Sequence, residues 1–99
     1  DVLSRIKPNK AMLGAAYPNP TSSATTISFS IPERSGKVDV RLEVFDLTGR
    51  KVSTLANGPF EAGFYSAEWH PHESAPNGMY VYRLFAGEEV LADKLILKK

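Results

Sequence analysis

A chain of 99 residues is long enough for one domain with a modest core and too short for two. Its 12 basic and 11 acidic side chains are interspersed, which leaves no net field to draw nucleic acid or an anionic membrane. The absence of cysteine excludes disulfides, thiol nucleophiles and cysteine-ligated metals.

Residues Asp1 to Ala16 show no period-2 alternation, and they join Lys7-Pro8-Asn9-Lys10 to a small apolar stretch, Ala11 to Ala16. They read as a linker from an upstream domain, able to pair weakly as a first strand. The opening Asp1-Val2-Leu3-Ser4 has neither an initiator methionine nor a signal-peptide pattern, so the sequence reads as a piece cut from the end of a longer polypeptide. Nothing in it approaches the length of a membrane-spanning helix. Tyr17-Pro18-Asn19-Pro20 opens the domain proper, 17–99; its two prolines forbid helix and bias the preceding residues to extended geometry.

From there the pattern is that of strands. Thr25, Ile27, Phe29 and Ile31 alternate with Thr26, Ser28 and Ser30, and after the turn Pro32 to Gly36, Val38, Val40, Leu42 and Val44 alternate with Asp39, Arg41 and Glu43. Leu47-Thr48-Gly49-Arg50 is a tight hairpin turn, in which Gly49 can take the positive φ other residues avoid. Lys51 to Leu55 make a short return strand, and Ala56-Asn57-Gly58-Pro59 breaks it. Tyr65, Ala67 and Trp69 form the next apolar face. A polar loop then runs from Pro71 to the turn dipeptide Asn77-Gly78, followed by the strand Met79 to Phe85. Ala86 to Glu89 form another hairpin, and Val90 to Leu97 close the chain. About seven short strands without a credible helix predict an all-β fold, a single immunoglobulin-like antiparallel β-sandwich. Its predicted core contains Ile27, Phe29, Val40, Leu42, Trp69, Tyr80, Tyr82 and Leu84, with a tyrosine hydroxyl hydrogen-bonded at a corner.

Little here points to chemistry. His70-Pro71-His72, flanked by Glu68 and Glu73, is a two-ligand start at most, whereas zinc needs three or four ligands with outer support. Ser22-Ser23 has no nucleophile-elbow context, and no glycine-rich phosphate loop exists. Asp46 reads as a turn residue whose carboxylate bonds backbone amides. No catalytic residue, cofactor site or metal site is assigned. Aromatics can stack sugars, and Tyr17, Phe60, Phe64, Tyr65, Trp69, Tyr80 and Tyr82 are available, but alternation sends Tyr65, Trp69, Tyr80 and Tyr82 inward; Phe60 and Phe64, bracketing Glu61-Ala62-Gly63, are candidates for exposure.

Four elements in fixed order remain: Tyr17-Pro18-Asn19-Pro20, Phe45-Asp46-Leu47-Thr48-Gly49-Arg50, Asn77-Gly78-Met79-Tyr80-Val81-Tyr82 and the terminal Lys94-Leu95-Ile96-Leu97-Lys98-Lys99. Together they resemble the C-terminal sorting domain, type A, of cargo proteins carried by the type IX (Por) secretion system of the Bacteroidetes and related bacteria. The resemblance implies a non-catalytic address label, folded in the periplasm and attached in cis to an upstream cargo domain. It further implies recognition by an outer-membrane translocon and a β-barrel shuttle protein. A cell-surface sortase, a cysteine peptidase, then removes the domain, within residues 1–16 here, and joins the cargo to an anionic lipopolysaccharide. The positions that carry the resemblance, and hence the expected recognition residues, are Pro18, Pro20, Gly49, Arg50, Lys94, Leu95, Ile96, Leu97, Lys98 and Lys99. A monomer at the outer-membrane surface, or a secreted one, is expected. A terminal strand can also lie at a sheet edge with unpaired amides and carbonyls, its Lys94 and Lys98 pointing the same way. The alternatives are a carbohydrate-binding module and a structural spacer of the hook-capping kind, which shares the Gly-Arg turn and the Asn-Gly-x-Tyr strand.

Overall fold

The computed structural model describes residues 8–99. Among them are seven strands and no helix: β1 (Met12–Leu13), β2 (Thr25–Ile31), β3 (Val38–Phe45), β4 (Lys51–Phe60), β5 (Gly63–Trp69), β6 (Gly78–Ala86) and β7 (Glu89–Leu97). They form two antiparallel sheets, β1-β2-β5 and β4-β3-β6-β7, whose inner faces meet in a sandwich. The alternation seen in the sequence is the cause, because every second residue of β2, β3 and β6 faces the opposite sheet. Ile27, Phe29, Val40, Leu42, Trp69, Tyr80, Tyr82 and Leu84 are all buried, together with Leu95 and Leu97 of β7. Trp69 meets Tyr80 edge-on, with ring centroids 5.0 Å apart, and the Tyr80 hydroxyl donates to the Pro76 carbonyl at 2.6 Å.

Tyr82 extends the core toward the N-terminal segment. Its hydroxyl donates to the Gly14 carbonyl at 2.8 Å and accepts the Ala16 amide at 2.9 Å. Burial, and then the charge of Asp93, push this hydroxyl up from its ordinary range against the Ala16 amide, so it remains a donor at neutral pH. Ala11 and Ala16 are buried, and β1 pairs with β2 through Met12↔Ser30 and Leu13↔Phe29. Residues 11–16 thus pack on the sandwich; Asp1 to Lys7 lie outside the described residues.

The expected break after Leu55 is not a break. β4 continues through Ala56-Asn57-Gly58-Pro59 to Phe60, with a register shift opposite Leu42 and Glu43 that absorbs one extra residue. Two circumstances let it continue. β4 is an edge strand, where a missing proline N–H costs no ladder bond, and Gly58 takes a φ of 143° that a side chain would resist. Phe60 is half-buried against Phe29 and Tyr65, while Phe64 is exposed.

Candidate functional site

The Gly-Arg turn is built around one carboxylate. Asp46 Oδ1 accepts the Thr48 hydroxyl at 2.6 Å, the Thr48 amide at 3.0 Å and the Arg50 amide at 3.1 Å. Its Oδ2 lies 3.3 Å from Arg50 Nε. The backbone closes the loop through Gly49 N–H to the Asp46 carbonyl and Asp46 N–H to the Arg50 carbonyl, with Gly49 at a φ of 88°. The Thr48 hydroxyl above all, helped by the two amides and Arg50 against partial desolvation, holds the Asp46 carboxyl below its ordinary value. Arg50 itself projects into water, its side chain 79% exposed.

This turn forms one wall of a groove of about 640 Å³ at one end of the sandwich. The opposite wall is the loop from His70 to Gly78, and the floor includes Trp69, Met79 and Tyr80. The two histidines do not converge on a metal: His70 Nε2 lies 3.2 Å from Glu68, and His72 Nδ1 lies 2.7 Å from the Ser74 hydroxyl. Among the described residues, no cluster of three metal-ligating side chains forms.

The end of the chain fastens the far side of the same loop. The Lys99 amide donates to Asn77 Oδ1 at 3.0 Å, and its ammonium donates to the Glu73 and Ala75 carbonyls at 2.6 Å each. Lys99 is therefore a loop clamp. Gly78 pairs with Leu97 in the ladder of β6 and β7, which joins the Asn77–Tyr82 element to the terminal one.

The terminal strand departs from the open edge expected of it. β7 is indeed the edge of the four-stranded sheet, but its last residues are strapped by the segment Tyr17 to Thr21. Asn19 behaves like a strand residue by means of its side-chain amide. Its Oδ1 accepts the Ile96 amide at 2.9 Å and its Nδ2 donates to the Lys94 carbonyl at 3.3 Å. Thr21 then accepts the Lys98 amide at 2.8 Å through its carbonyl and donates its own amide to the Ile96 carbonyl at 2.9 Å. The Lys94 carbonyl, the Ile96 amide and carbonyl and the Lys98 amide are thus spoken for, and a partner strand cannot add there without displacing the strap. The strap is tied to itself as well: the Thr25 hydroxyl donates to the Pro18 carbonyl at 2.7 Å, and the buried Thr21 hydroxyl donates to the Ala24 carbonyl at 2.8 Å.

The structure divides the sequence-predicted recognition residues into three groups. Pro18, Pro20, Gly49, Arg50, Lys94, Ile96, Lys98 and Lys99 reach the surface, whereas Leu95 and Leu97 enter the core and seat the strand. Pro18 and Pro20 lie beside Lys94, Ile96 and Lys98 through the strap; Arg50 stands on the groove wall, with Gly49 next to it in the turn, and approaches the terminal residues only through the loop that Lys99 clamps. Lys94 and Lys98 have no side-chain partner among the described residues. Sequence reasoning missed Asn19 and Thr21. An asparagine between two prolines reads as a turn, and nothing local announces that it reaches a strand 77 positions away.

The site thus consists of a strapped terminal strand and a carboxylate-pinned turn on an all-β module. The chain matches the family described as the secretion system C-terminal sorting domain over residues 15–98, and it belongs to that family. It is a type IX secretion sorting domain, exported to the cell surface or secreted, whose family is not catalytic and works in cis with an upstream cargo. Comparison with curated proteins and with solved structures gives no match.

Proposed function

We propose that this domain directs its cargo through the type IX translocon by presenting a preformed terminal strand, with Lys94, Ile96 and Lys98 as the contact residues. The observation that carries this reading is the strap: Asn19 and Thr21 hold the strand along its outer edge, so that its exposed side chains form one fixed row. Fixing them before the encounter reduces the ordering entropy that a loose tail would lose on binding. The domain is a ligand rather than an enzyme. Its partners are the outer-membrane translocon and a β-barrel shuttle, followed by a surface sortase that cuts before the folded body and leaves the cargo removed from the domain or anchored. A sugar-binding role loses its main support, since Trp69 and Tyr80 are inside and the exposed Tyr17 and Phe64 belong to separate elements.

A soluble reporter with an export signal, fused ahead of residues 1–99 in a host with type IX machinery, tests the reading. The fused reporter is expected to become protease-accessible on intact cells, and the same reporter without the domain to stay in the periplasm. Equal retention of both would contradict it.

A further inference from the structure

The outer face of the four-stranded sheet is not the neutral surface that the overall charge suggests. Strand register lays three rows across it: Lys51-Phe45-Val81-Lys94, Thr54-Glu43-Arg83-Ala92 and Asn57-Arg41-Phe85-Val90. Beside them Met79 pairs with Ile96, and Asp39 pairs with Pro59. With Lys98 continuing the parity of Lys94 and Ile96, this face holds five cations against the carboxylates of Glu43 and Asp39, a surplus of three in a chain whose formal net charge is +1.

Three of the cations are held in place. Glu43, buried although alternation aims it outward, accepts Arg41 at 3.2 Å and Lys51 at 3.3 Å. The Arg41 guanidinium lies over the Phe85 ring at 4.1 Å, and that of Arg83 lies over Phe45 at 4.9 Å. A guanidinium stacked on a ring keeps its in-plane N–H donors free for a carboxylate, and it loses little entropy when it binds one. Val90 and Ile96 are exposed at the rim, 60% and 40%.

We propose that this sheet face is a docking surface for a protein that carries carboxylates around an apolar centre. The charge surplus selects an acidic partner. The interleaved Phe45, Val81, Phe85, Val90 and Ile96 favour a protein surface over an anionic polysaccharide, which would be better served by bare lysines than by arginines stacked between apolar rows. The inference rests on the sorting reading and extends it from the terminal strand to the whole face.

The test uses the reporter fusion with Arg83→Glu, which keeps Arg41 and Lys51 as partners of Glu43 and leaves the terminal strand alone but sets a carboxylate opposite Glu43, beside Arg83→Lys, the opposite-sheet control Ser28→Glu, and Lys94→Glu/Lys98→Glu as the terminal-strand arm. Arg83→Glu is expected to lower surface delivery by about tenfold or more while thermal unfolding stays cooperative, since a reversed charge against an acidic patch is repulsive. Arg83→Lys should restore most of it, and Ser28→Glu should change nothing. Should Arg83→Glu instead unfold the domain, Arg83→Gln gives the same comparison without the repulsion. Normal delivery of the folded Arg83 variants, with the terminal-strand variant retained in the periplasm, overturns the docking face and leaves the sorting reading standing. Normal delivery in both arms overturns the docking face and the contact role of Lys94 and Lys98 together. A photo-reactive side chain at Val90 should give an adduct of discrete protein mass that Arg83→Glu abolishes. A polysaccharide ladder, or no adduct, contradicts a protein occupant.

Discussion

At the scale of single residues, three positions carry most of the testable weight. Trp69 is 3% exposed and packed on Tyr80, so Trp69→Ala should cost about 3–5 kcal/mol by chemical denaturation, the usual loss for a large core aromatic. A loss below about 1 kcal/mol would mean that the site behaves like surface. Gly49, at a φ of 88°, has open space around the position of a Cβ, so Gly49→Val is resisted by the backbone conformation rather than by a clash. It should destabilise by roughly 1–2 kcal/mol. The depressed pKa of Asp46 has a definite sign. The turn's contribution to stability is fully present above the ordinary carboxyl value of 3.8 and is lost as pH falls through the lower folded value. A carboxyl titration followed by NMR should therefore place the Asp46 midpoint below that of an ordinary aspartate; a midpoint at or above it would contradict the hydrogen-bonded turn. The roles of Trp69, Gly49 and Asp46 were legible because burial, positive φ and Asx geometry are local or periodic properties. The role of Glu43 was not: alternation placed it in water, and only the cross-strand arrival of Lys51, with Arg41 two residues away, explains its burial.

At the scale of elements, the strand order of the chain was legible and the ends of strands were not. β2, β3, β5, β6 and β7 follow from period-2 patterning with turn residues between them. β4 outran its prediction because glycine and proline punctuate a central strand but are tolerated at an edge, and edge status is decided by topology. The strap over β7 was invisible for a related reason, since it depends on a side-chain amide that imitates a backbone group. Two outcomes are expected here. Asn19→Ala should speed hydrogen exchange at Ile96, whose amide loses its acceptor, without altering exchange at core amides of β3. Unchanged protection at Ile96 would mean that the strap does not hold the strand. Tyr82→Phe should cost on the order of 1–3 kcal/mol, because the half-buried Gly14 carbonyl and the buried Ala16 amide would both lose their partner. A negligible change in the denaturation midpoint would show that residues 11–16 are not latched to the body.

At the scale of the whole molecule, the four sequence elements prove to be links of one chain of contacts. The proline strap holds the terminal strand, the terminal lysine clamps the loop before β6, and that loop faces the Gly-Arg turn across the groove. From Arg50 the neighbouring elements lie 30 residues back at Pro20 and 27 residues on at Asn77, and only the antiparallel pairing of β6 with β7 and the strap joins them into a surface. Burial of Leu95 and Leu97 also determines how that surface must be probed. Deleting the terminal residues would remove core as well as signal, whereas Lys94 and Lys98 can be reversed with an expected stability change within about 0.5 kcal/mol. The most direct measurement is therefore the surface-accessible fraction of a reporter fused to the Lys94→Glu/Lys98→Glu domain in a type IX host, with its folding verified by thermal denaturation. Retention in the periplasm of a fully folded variant is the predicted result. Delivery equal to that of the unaltered domain would contradict recognition at the terminal strand.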